Sequence, residues 1–226
     1  MTGDRRSFLG RLATGAAAAA GALGVDASPL EAEAPVRPVS DKWDLSWVDR
    51  VNGKFRAAFD SPKLEDGGEI WRAATWRNQI IEVYGVKDAD VNPLLVIRHS
   101  GIPLIMNDAF WARHNIGKKR KVKDPVTGKA AEGNPIGNFE GRKDMPASMA
   151  DASIARFIQR GGIVLACNFA FEVLVQLEAE ADKAHEKEAR ERALTYLLPG
   201  VILQPSGFFA LLEAQRAGCH LFAAGE

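Results

Sequence analysis

The sequence predicts a three-layer α/β/α fold, in which one five-stranded, mainly parallel sheet carries helices on both faces. Three observations lead there. Short apolar runs alternate with amphipathic stretches, giving the order β-α-β-α-α-β-α-β-α-β. Glycines or a Gly-Gly pair close several of the amphipathic stretches, as helix ends require. One run, "IVLAC" (Ile163 to Cys167), shows no polar alternation, which calls for burial on both sides and therefore for parallel neighbours.

The elements follow in order. "KFRAAFD" (Lys54 to Asp60) alternates Phe55, Ala57 and Phe59 on one face and predicts a strand. "GGEIWRAATWRNQIIEVYG" spaces Ile70, Ala73, Ala74, Ile80, Ile81 and Tyr84 as a helix does and stops at Gly85. "PLLVIRHSG" is a second strand. "NDAFWARHNIG" predicts a short helix capped by Asn107 or Asp108 and ended by Gly117. Residues 117–146, rich in Lys, Gly and Pro, read as a long inserted loop, and loops of that length are usually functional or mobile. "ASMADASIARFIQRGG" predicts a helix with a Gly-Gly stop, and "IVLAC" is the third strand. Phe169 to Leu198 then reads as one long helix, with Glu186–Arg190 and Glu188–Arg192 as pairs along its exposed side. "VILQP" is the fourth strand, "SGFFALLEAQRAG" a helix capped by Ser206, and "CHLFAAG" the fifth strand.

Ahead of these elements the chain reads differently. "DRRSFLG" (Asp4 to Gly10) pairs Arg5 and Arg6 before Phe8 and Leu9, and an Ala/Gly/Leu stretch follows to Gly24. A basic start, a short apolar middle and small residues at the end describe an export signal. The apolar run is too short to span a hydrocarbon core of ~30 Å, so no stable membrane insertion is expected. The paired arginines resemble the twin-arginine motif. That resemblance implies a signal peptide over residues 1–27, the twin-arginine translocase as a partner during export, and a periplasmic location. Residues 28–50, with three prolines in the first part, read as a linker, and residues 51–226 as the α/β domain.

The full chain has 29 basic and 29 acidic residues, and 26 against 27 once residues 1–27 are set aside. A near-neutral chain has no global field for nucleic acid or anionic lipid. The run "KKRKVK" (Lys118 to Lys123) therefore reads as a solvated loop, and no nucleic-acid partner is expected. No Walker loop, GxGxxG or GxSxG is present, so no cofactor is expected. Without CxxC or HxxxH spacing, a metal site would need Cys167, His99 and His114 to converge, and none is expected.

Ligands of parallel α/β sheets collect beyond the carboxyl ends of the strands. That rule gathers Asp60 and Ser61 after the first strand and Arg98, His99 and Ser100 after the second. It adds Cys167 and Asn168 after the third strand, and Ser206 and Gly207 after the fourth. Cys219 and His220 begin the last strand and belong to the opposite edge. A five-residue strand is about 16 Å long, whereas a disulfide needs Cα atoms within about 7 Å. The two cysteines are thus expected as separate thiols. At the start of a helix, with Asn168 as its cap, Cys167 is either a thiol activated as a nucleophile or a small residue filling the top of the core. His99 is either the group that orients or protonates this thiol or a strand-end histidine bonded to backbone.

"GGIVLACNFAFEVL", followed by "LLPGVILQPSGFFALLEAQRAGCHLF", resembles the DsrE/DsrF-like family of sulfur-relay proteins. "NPLLVIRHSGIPLIMND" is similar to that family's second strand and the segment after it. The likeness covers about residues 54–222. It implies a parallel α/β sheet, a trimer or hexamer, and a cysteine at Cys167 that accepts sulfur as a persulfide, so the expected ligand is a small sulfur-containing compound. The competing expectation is a non-catalytic oligomeric module that binds a small ligand or a protein in the same crevice. The export signal, the inserted loop, the extended helix around residues 178–192 and Cys219 depart from the family's minimal pattern. If Arg5 and Arg6 head an export signal, converting both to Lys leaves the precursor in the cytoplasm, as fractionation and immunoblotting would read.

Overall fold

A computed structural model describes residues 41–64, 67–140, 145, 149 and 151–223. The expected signal with Arg5 and Arg6, and the expected linker as far as residue 40, lie outside the described residues. Five strands form one all-parallel sheet: β1 (Phe55–Ser61), β2 (Val91–Ile97), β3 (Ile163–Cys167), β4 (Val201–Gln204) and β5 (His220–Phe222), in the spatial order β4-β3-β2-β1-β5. β2 and β3 are buried along their whole length, as their unbroken apolar runs require. The outer strand β5 is exposed throughout.

Among the described residues, seven helices connect and flank the strands: α1 (Gly68–Tyr84), α2 (Asp108–His114), α3 (Ile116–Arg120), α4 (Ile154–Gln159), α5 (Asn168–Asp182), α6 (Glu186–Thr195) and α7 (Gly207–Arg216). The strand order dictates their sides. The first three crossovers all step the same way along the sheet, and the fourth jumps back past β1. Right-handed crossovers therefore place the helices of the first three connections on one face and α7 on the other. The core divides accordingly. Phe59, Leu95, Ile97 and Val164 pack with Ile70, Phe110, Trp111, Phe171 and Leu174 on the first face. Ala58, Leu94, Val96 and Leu165 pack with Ala210, Leu211, Ala214 and Trp47 on the second. Among the described residues no helix is long and apolar enough to cross a membrane.

Four expectations meet a different structure. Within the expected linker, Ser46–Arg50 forms a 3-10 turn whose Trp47 is completely buried, so the packed domain starts before residue 51. The long helix expected from Phe169 is two. Lys183 takes a left-handed conformation (φ 50°) and ends α5, and α6 folds back along it. Arg190 then pairs with Glu172 and Asn168 across the hairpin, and Arg192 with Asp182, in place of pairs along one helix. Asn115, also left-handed at φ 52°, ends α2, and Gly117 lies inside α3. Finally, within the stretch expected as the helix before β3, the described α-helix is Ile154–Gln159, capped by the Ser153 hydroxyl.

The described part of the inserted loop, residues 117–140, is packed rather than merely solvated. Val122, Ala131 and Ile136 enter the first core. The buried Asn134 amide donates to the carbonyls of Leu104 and Met106 (2.7 Å each), and the Asn134 N–H donates to Asp108 Oδ1 (2.8 Å). A Cβ on Gly117 would overlap the carbonyl of Ala131. Gly117→Ala should therefore cost about 2 kcal/mol in urea unfolding. Gly68→Ala, at an open position that begins α1, should leave the midpoint unchanged or raise it slightly.

Candidate functional site

The site forms where adjacent strands send the chain to opposite faces. β3 pairs with β4, Cys167 opposite Gln204. From Cys167 the chain turns into α5 on the first face, and from Ser206 into α7 on the second. Between these departures and the end of β2 lies a crevice of about 400 Å³. Arg98, His99, Ser100, Cys167, Ser206 and Gly207 line it, so six of the residues expected at this edge share one cavity.

The remaining three stand differently. Asp60 is buried behind the wall and accepts two hydrogen bonds from Arg98, from Nε at 2.8 Å and Nη2 at 2.7 Å. This paired contact raises the Arg98 pKa above its ordinary value, the hydrogen bond to Asp60 being the largest cause. Ser61 is buried, and its carbonyl accepts from the Arg98 N–H (3.0 Å). Asn168 turns away: its Oδ1 accepts from Arg190 Nη2 (2.6 Å) and its Nδ2 donates to Glu172 (3.2 Å). Asn168 is not the helix cap either. The strand runs straight into the helix, so Cys167 itself holds the cap position and its Sγ accepts from the Ala170 N–H (3.4 Å).

Arg98 shapes the second wall as well. Its guanidinium lies over the ring of Phe208, 5.0 Å from the centroid. A Cβ at Gly207 would come within 2.6 Å of Arg98 Cδ, so only glycine lets α7 start this close to the Arg98–Asp60 pair. Ser206 caps α7 through its Oγ, which accepts from Phe209 N–H at 3.1 Å. His99 sits in the left-handed region at φ 50°, and its ring makes no hydrogen bond to Cys167 or to any other described residue.

Several lining residues carried no sequence signal of a site. Ile102 and Pro103 come from the 3-10 turn His99–Ile105, and Phe169, Val173 and Leu174 from α5. Arg120 comes from the far end of α3. The basic run "KKRKVK" marked Arg120 only as one charge among several, and the fold alone selects it. Lys118, Lys119 and Lys121 stay exposed beside it.

A larger cavity of about 590 Å³ opens near Asn138, Glu140 and Arg156, away from both cysteines and from the carboxyl edge. The smaller crevice is the better candidate because it joins a thiol, two arginines and two helix starts at the edge where parallel sheets bind ligands. Among the described residues no group of three or more His, Cys, Asp or Glu side chains is arranged to hold a metal. His114 is instead buried against Glu178. No protein-family model, curated protein or solved structure matches the chain.

Both cysteines are free. Cys219 lies in the core under α7, and burial pushes its thiol up to about 11. Its thiolate is then scarce at neutral pH, while Cys167 faces the crevice. Iodoacetamide at pH 7 should label one site per native chain, Cys167, with Cys219 reacting only after denaturation, as peptide mass mapping would read. The sign for stability follows from burial. The Cys219 thiol is harder to ionise folded than unfolded, so its contribution is intact below pH ~8.5, the ordinary thiol value, and is lost as pH rises towards 11.

Proposed function

We propose that this protein is an exported, DsrE-like protein that handles sulfur, or a thiol ligand, through Cys167. The observation that carries the reading is the position of Cys167: at the carboxyl edge of a parallel sheet, first in line with the N–H groups of α5, and on the wall of a crevice. Helix N–H groups and the macrodipole favour negative charge at this position. Support from the sequence comes from the likeness of residues 161–174 and 197–222 to the sulfur-relay family and from the Arg5–Arg6 pair. In this reading the protein acts in the periplasm after passing the twin-arginine translocase.

The chemistry needs no external oxidant or reductant. The Cys167 thiolate attacks the outer sulfur of a donor persulfide, R–S–SH. A new S–S bond forms to Cys167 as the donor's S–S bond breaks, and R–S⁻ leaves with the bonding electron pair. In this reading His99, which lines the same crevice, protonates the leaving thiolate.

Two observations favour a second reading, a non-catalytic binding module. Cys167 is only 6% exposed, and His99 makes no hydrogen bond to it. Intact mass after incubation with glutathione persulfide separates the two. The relay reading expects the mass of one added sulfur atom on the wild type and none on Cys167→Ser. An unmodified native chain that gains sulfur only when denatured would sink that reading and leave the binding module.

A further inference from the structure

We infer that the Cys167 crevice takes a small organic acid, with a hydrocarbon or aromatic body against its apolar wall and an anionic head towards Arg120 and His99. This deepens the reading above: it rests on Cys167 as the reacting group for any transfer of sulfur, though not for binding.

The walls specify the body. Phe169, Val173, Leu174, Phe208, Ile102 and Pro103 supply most of the lining. Phe169 is 80% exposed and Phe208 72%. Two large aromatics held in water at the mouth of one cavity are stabilised by whatever covers them. A volume of about 400 Å³ lies within the usual range for a small organic ligand. An inorganic sulfur anion alone would leave this apolar surface wet.

The polar groups specify the charge. Among the described residues no acidic side chain lines the crevice. The Asp60 carboxylate behind it is engaged by both nitrogens of the Arg98 fork. What remains free are donors. Arg120 is exposed and has no hydrogen bond or ion pair among the described residues. His99 offers a ring N–H in either tautomer. The Ser206 Oγ accepts from Phe209 N–H, which leaves its own hydroxyl proton to donate. A cationic ligand would meet two arginines, and a neutral hydrocarbon would strip water from these donors without replacing it.

The test is isothermal titration calorimetry on the full chain with three probes: 4-phenylbutyrate, acetate, which has the head without the body, and 4-phenylbutylamine, which has the body with the opposite charge. Phenylbutyrate is expected to bind at least tenfold more tightly than either control. Arg120→Gln, at an exposed position, should weaken it about tenfold, the worth of one charge-assisted hydrogen bond. Phe169→Ala should weaken it about fivefold through lost apolar contact. Binding is read by calorimetry on the wild type and sulfur transfer by intact mass, so failure of the sulfur reading and failure of this one are separable. Equal binding of the amine or of acetate, no binding of phenylbutyrate, or an unchanged affinity in Arg120→Gln with its melting temperature preserved would each overturn the inference.

Discussion

The geometry of this protein turns on a change of direction. Three crossovers carry the chain stepwise from β1 to β4 on one face of the sheet, and the fourth must return past β1 on the other. Handedness alone forces α5 and α7 to leave neighbouring strands towards opposite faces. A gap at the carboxyl ends of β3 and β4 is the unavoidable result, and the backbone N–H groups that begin both helices border it. The Arg98–Asp60 pair, reaching from β2 to β1, then fixes the side of the gap that strand pairing leaves open.

Much of this was legible in the sequence because it rests on local signals. The unbroken apolar run of β3 announced a parallel sheet, and Asn107 and Ser206 announced helix starts through side chains that accept from backbone N–H groups three residues on. The carboxyl-edge rule then gathered Arg98, His99, Ser100, Cys167, Ser206 and Gly207 without any contact being known. What escaped has a physical cause in each case. The turn at Lys183 carries neither Gly nor Pro, so the helical pattern runs through it unmarked. The inserted loop looked solvated because its core residues Val122, Ala131 and Ile136 are scattered among charged residues, Gly and Pro, and no periodicity reports an irregular packed segment. Arg120 reaches the crevice only because that packing holds the end of α3 against it.

The same packing bears on how the domain holds together. Asn134 uses its amide to bind two carbonyls some thirty residues away, between the end of β2 and α2. A polar side chain buried with its partners satisfied fixes one arrangement among the many that apolar contacts would tolerate. The loop therefore behaves as part of the first core. Trp47 does the corresponding work on the second face, where, among the described residues, α7 is the only α-helix and leaves room for a large aromatic from the N-terminal turn.

The two walls of the crevice belong to different cores. Phe169, Val173 and Leu174 ride on α5, whose Phe171 and Val175 are sunk in the first face. Phe208 rides on α7, which Ala210, Leu211 and Ala214 anchor to the second. The β-sheet stands between them as a spacer. Neither helix can swing towards the other without shearing a close-packed interior, and such interiors resist continuous deformation. The opening is accordingly a gauge of fixed width. A ligand entering it would be selected by size, without the closure by which lidded sites shut out water.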